Sequence, residues 1–191
     1  VASGAGVSVS GVSAGVEVSE VLSISGGDVV LSAGSSVSAY SGESVSLSTA
    51  DMDVSVGGSV TGFAGESASL VSGRVSVDAS DGIRVSSAAT VGLQAEEFGL
   101  MTAGDVSVAS ASAVSVTGGS VSASSAGDLD VSSGSTLRAT AADGMEVVSG
   151  GSLTGHIGQS IDLVSGAVSM SAAGGVSVAG GEMALSSYGD L

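Results

Sequence analysis

The triplet Val106-Ser107-Val108 states a pattern that fills the whole chain: an apolar residue, a polar one, an apolar one, then a few small residues before the next triplet. Alternation with period two is the mark of a strand with one buried face. Taking the first apolar residue of each unit gives a series that begins Val7, Ala14, Leu22, Val29, Val37, Val45, Met52 and Val60, and ends Ile161, Val168, Val176 and Met183. The residue two places on is apolar as well, except at Gly62 and Gly155. From Leu22 to Leu137 the steps between units run 7, 8, 8 and repeat without a break. Three unequal units thus make a period of 23 residues.

Three short strands joined by three corners, one corner tighter than the others, form one coil. Stacked coils, each strand pairing with its equivalent about 4.8 Å along the axis, make an all-β, three-faced parallel β-solenoid, or β-helix. The length predicts about eight coils of about 23 residues in a single repetitive domain covering 1–191, read as a segment of a longer chain or filament. The rival arrangement is an intertwined trimer with one strand per chain. It offers no reason for every third unit to be one residue short, whereas a single chain with one tighter corner does. A longer echo reinforces the period: the segment from Ser59 to Ile83 matches that from Ser152 to Val176, at an offset of 93 residues. That is four coils plus one extra residue, which falls between Leu137 and Met145.

Composition narrows the class. With 32 Gly and no Pro, Cys or Trp, the chain is too biased for an ordinary globular domain, yet 43% of its residues are hydrophobic, enough for a thin core. The formal charge of −16, against which stand only Arg74, Arg84 and Arg138, repels a phosphate backbone and argues against nucleic acid. No apolar run is long enough for a membrane-spanning helix. The alternation starts by Val7 and Val9 and still runs at Met183 and Leu185, with no capping pattern at either end. Open coil ends expose unpaired backbone groups, so the expected partner is a further coil, by head-to-tail self-association into a filament.

The units "GDVSVAS", "GDLDVSS", "GESVSLS" and "GGVSVAG" resemble the strand repeats of filamentous haemagglutinin-like secreted β-solenoid adhesins and fibre proteins. The coil of 23 residues is longer than that family's repeat, and Asn is missing from the turns. The resemblance implies an extracellular or cell-surface structural protein that forms or extends a rigid filament or stalk. The alternatives are an adhesin or host-contact shaft with a cell-surface or glycan partner, and a trimeric intertwined spike-type fibre.

Stacking places each residue over the one about 23 positions later, so columns of side chains can be read off directly. Glu20, Glu43 and Glu66 share one corner, a ladder that either fans into solvent or recruits a hard cation. Asp51, Arg74 and Glu97 share a second column, and Arg138 stands beside Asp162; both are expected to pin register by surface ion pairs. Asp105, Asp128 and Asp130 make the best carboxylate constellation for glycosidase chemistry, but no aromatic lies near enough to stack on a sugar. The solvated-strand reading is preferred, and neither an enzyme nor a cofactor is expected. His156, the sole histidine, matches Phe63 in the echo, and the preceding Gly155 and Gly62 suggest a local bulge under the ring. The outward serines Ser23, Ser46, Ser69 and Ser115 read as a hydrated surface, with O-glycosylation as the functional alternative.

Overall fold

The computed structural model describes residues 7–20, 22–25 and 27–187. They form sixteen strands: β1 (Val7–Val18), β2 (Leu22–Ser25), β3 (Asp28–Ser41), β4 (Ser44–Val56), β5 (Ser59–Ala64), β6 (Ser67–Ala79), β7 (Gly82–Ser87), β8 (Thr90–Thr102), β9 (Asp105–Ser110), β10 (Ala113–Ser125), β11 (Leu129–Ser133), β12 (Thr136–Ser149), β13 (Ser152–Ile157), β14 (Ser160–Ala172), β15 (Gly175–Ala179) and β16 (Glu182–Ser187). Every pairing is parallel, and no helix occurs among the described residues. From β4 onward each strand pairs with the strand two ahead, so that one long and one short strand complete a turn. Val106 pairs with Leu129 and Val108 with Val131, as the 23-residue period requires. The molecule is a parallel β-solenoid of about seven turns, each closed within the one chain.

The unequal steps have a direct structural cause. The 7-residue steps, such as Val45 to Met52 and Val91 to Phe98, lie inside the long strands. There the chain rounds a corner without leaving extended geometry, at Ala50 in β4 and Glu96 in β8. The 8-residue steps cross the two corners where the strands break. The extra residue between Leu137 and Met145 falls at the long-strand corner of β12: Gly118 pairs with Ala141, but Ser120 pairs with Gly144. Ala142 and Asp143 therefore bulge outward, and the register resumes undisturbed in β14.

The first inward position after a corner supplies most of the fully buried side chains. Val29, Val75, Val91, Val106, Val114 and Ile161 are all but completely buried. Burial of such a side chain contributes about 1.5–3 kcal/mol, and its β-branch suits a pleated surface, so these columns hold the three faces together.

Each face carries a third inward position that the apolar pattern did not reveal. It lies just before the corner and is occupied mostly by small or hydroxylated residues, with Val56 and Ile157 as exceptions: Ser41, Ser87, Ser110 and Ser133 on one face, Thr102, Ser125 and Ser149 on the next, Ser72 and Ser165 on the third. All are buried, and their hydroxyls serve corner backbone. Ser87 Oγ donates to Glu66 O at 2.6 Å, Ser149 Oγ to Gly127 O at 2.8 Å, and Ser41 and Ser110 reach Glu20 O and Ala89 O in the same way. A turning chain cannot aim every carbonyl along the sheet ladder, so an inward hydroxyl satisfies the one that faces the core. Ser133 lies 2.6 Å from Ser112 O and 2.9 Å from Thr136 O. Ser133→Ala is expected to cost about 1–2 kcal/mol, visible as a lower urea midpoint. An unchanged midpoint would mean that water replaces the hydroxyl.

Candidate functional site

The Asp column that most resembles catalytic machinery is assembled as the period predicts. Asp105 and Asp128 occupy equivalent positions in adjacent coils, and Asp130 pairs with Ser107 on the same face. The first two carboxylates are engaged with backbone. Asp105 Oδ1 accepts the N–H of Asp128 at 2.9 Å, and Asp128 Oδ1 accepts the N–H of Ser152 at 2.8 Å. Each Asp thus hooks the coil that follows it. The glycine before each hooked residue makes room: a Cβ on Gly127 would collide with Asp105 Oδ1, and one on Gly151 with Asp128 Oδ1. This accounts for the Gly-Asp units in physical terms. Asp128→Ala should cost roughly 1–2 kcal/mol by freeing the Ser152 N–H, and Asp128→Asn, which keeps an acceptor oxygen, should cost less. Equal losses in a denaturant titration would argue against the hook.

Glu20, Glu43 and Glu66 stand at one corner, linked by backbone bonds from Glu43 N to Glu20 O (2.9 Å) and from Glu66 N to Glu43 O (2.6 Å). The same corner ladder continues through Ala89, Ser112, Ser135 and Gln159 to Glu182. The three Glu are exposed, and among the described residues no three acidic or His side chains converge as metal ligands would.

The two Arg columns differ from each other. Arg74 is in register with Asp51 on one side and Glu97 on the other, as expected, but no ion pair closes there. Arg138 Nε lies 3.4 Å from Asp162 Oδ2, the one salt bridge among the described residues. Outward side chains on neighbouring strands have open water beside them, and surface pairing gains too little to hold every such pair together. With 68% of the Arg138 side chain exposed, Arg138→Ala is expected to shift stability by less than about 1 kcal/mol. Arg74 instead lines a corner notch with Asp51, Glu96, Glu97 and Asp143, floored by Gly73 and Gly119.

The bulge expected beneath His156 and Phe63 is absent. Gly62 pairs in unbroken register with Ala39 and Val85, and Gly155 with Val131 and Val178. His156 is exposed and in line with Ser132 and Ala179. The glycines precede outward residues on a regular strand, so neither ring folds over the chain. Phe63 instead pairs with Tyr40, ring centroids 6.4 Å apart, and both residues are more than 40% exposed. The sequence reading missed this pair because it followed the 93-residue echo rather than the adjacent coil.

Ser23, Ser46, Ser69 and Ser115 share one outward column through Gly92, as expected. That column continues to Arg138 and Asp162, which ties the ion pair to the serine face.

These columns and closed coils define a parallel β-solenoid repeat protein in which buried hydroxyls and the Asp105 and Asp128 carboxylates bond corner backbone. No protein-family model, curated protein or solved structure matches the chain. Among the described residues no helix is long and apolar enough to cross a membrane.

Proposed function

We propose that the chain is a rigid structural shaft that forms or extends an extracellular filament or stalk, in the manner of the haemagglutinin-like fibres its repeats resemble. The supporting observation is the unbroken stacking. Across the described residues no insertion longer than the Ala142–Asp143 bulge leaves the coil, and the polar columns satisfy backbone or face solvent. Such a body resists bending because every coil is bonded to the next along its three faces.

Negative-stain images and sedimentation of the purified chain test this reading. Rods that lengthen with concentration, with an axial strand repeat of about 4.8 Å, are expected. A monodisperse monomer at high concentration and high salt would count against self-association. A second reading, a shaft that contacts a glycan, draws on the exposed Tyr40–Phe63 pair, since aromatic faces stack on apolar ring surfaces. Saturable binding on a glycan array, lost in a Tyr40→Ala, Phe63→Ala variant, would favour it.

A further inference from the structure

The core of this solenoid is not filled. Two voids, of about 150 and 140 Å³, lie one after the other along the axis. The first has an entirely carbon wall, including Leu93, Val116, Val131 and Leu163; the second is walled chiefly by residues such as Leu31, Leu47, Val77 and Val85. Each void reaches one of the two glycines that break the inward alternation, Gly155 in the first and Gly62 in the second.

Neither glycine is required by its backbone. The only positive φ among the described residues is at Gly175, and both positions sit in regular strand. Neither is required by packing. A Cβ on Gly62 would meet nothing within 4 Å, and for one on Gly155 the nearest atoms are Val178 and Ile157 methyls at 3.4 to 3.8 Å, ordinary contact distances. Most corner glycines present the opposite case, with a Cβ colliding with backbone. Gly in a strand interior forfeits stability, and Val is the ordinary inward residue here, so what the two glycines provide is space. The space is also repeated. Gly62 and Gly155 are equivalents in the 93-residue echo, and so are the wall residues Leu70 and Leu163, Val77 and Met170, Val85 and Val178. The second block kept the void while exchanging Val for Met around it.

We infer that the two voids are binding sites for small apolar molecules, of benzene size or short unbranched alkyl chains. Space of this volume walled almost wholly by carbon, open in part past exposed wall residues such as Met170 and Phe63, offers water few hydrogen-bond partners and suits apolar guests. The slender interior favours a linear guest lying along the axis.

Xenon and benzene serve as probes on the intact chain. A saturable pressure-dependent shift of the xenon resonance is expected, with two sites per chain. With both sites filled, benzene at ten times its Kd should raise the melting midpoint by roughly 6–11 °C. Gly155→Val should remove one site, and Gly62→Val with Gly155→Val should remove both. The Gly62→Ala and Gly155→Ala pair keeps the test open if the larger residues fail to fold; it should weaken xenon binding and hold or raise the midpoint. The inference is overturned if the native chain and the filled variants respond alike to xenon, if water is found resident in the voids, or if both Ala variants melt lower than the parent.

Discussion

Replacing Val108 with Asp is expected to remove about 3–5 kcal/mol of stability, a large share of the roughly 5–15 kcal/mol that holds a typical domain folded. Val108 is 7% exposed, is paired in register with Val85 and Val131, and faces both axial voids. Arg74, Arg84 and Arg138 are all exposed, so a carboxylate in the core has no charge to meet. The voids offer little relief, because water drawn into a carbon-lined space has nothing else to bond. Urea unfolding followed by far-ultraviolet circular dichroism gives the measurement. A midpoint within error of the parent would mean that the interior is wet, contradicting both the packing and the cavity proposal. Ser107→Asp, one residue away but pointing outward, is the control; it should change stability by less than about 1 kcal/mol.

Gly104→Ala is expected to be the most damaging single-methyl change among the corner glycines, at about 3 kcal/mol. A Cβ on Gly104 would overlap Asp81 O in the coil before it. Equivalent collisions await at Gly58, Gly65, Gly134 and Gly158. At these corners the Cβ direction runs down the axis, and the strand spacing of about 4.8 Å leaves no room between one coil's backbone and the next. Relief requires the corner to open and its ladder bonds to lengthen. Gly155→Ala adds the same methyl in a strand and should be neutral or stabilising. Thermal melts of the two variants side by side make the comparison, and equal effects would show that corner glycines are not there for clearance.

Much of the solenoid was legible before any coordinates because its key property can be counted along the chain. A parallel coil pairs each residue with one a fixed number of positions away, so the 7, 8, 8 rhythm carried the register, the tight corner and the coil length together. The extra residue before Met145 was visible in the same way and proved to be the β12 bulge. Chemical roles were less legible. Asp105 and Asp128 were correctly placed one above the other, yet spacing could not tell whether a carboxylate points at solvent or at the N–H of the next coil. The bulge expected at Gly62 and Gly155 failed for a related reason. A missing side chain in an alternating pattern signals either an irregular backbone or an empty space, and the two look alike in sequence.

The sequence by itself determined the all-β class, the three faces, the 23-residue stacking partner of each residue and the inward identity of positions such as Val106, Leu129 and Ile161. All of these follow from period and polarity, which are one-dimensional. Only the tertiary structure decided that Ser87, Ser110 and Ser133 turn inward, that Arg138 closes an ion pair while Arg74 does not, and that the axis is hollow beside Gly62 and Gly155. Those outcomes depend on where a Cβ points relative to the neighbouring coil, and that direction exists only once the coil has closed.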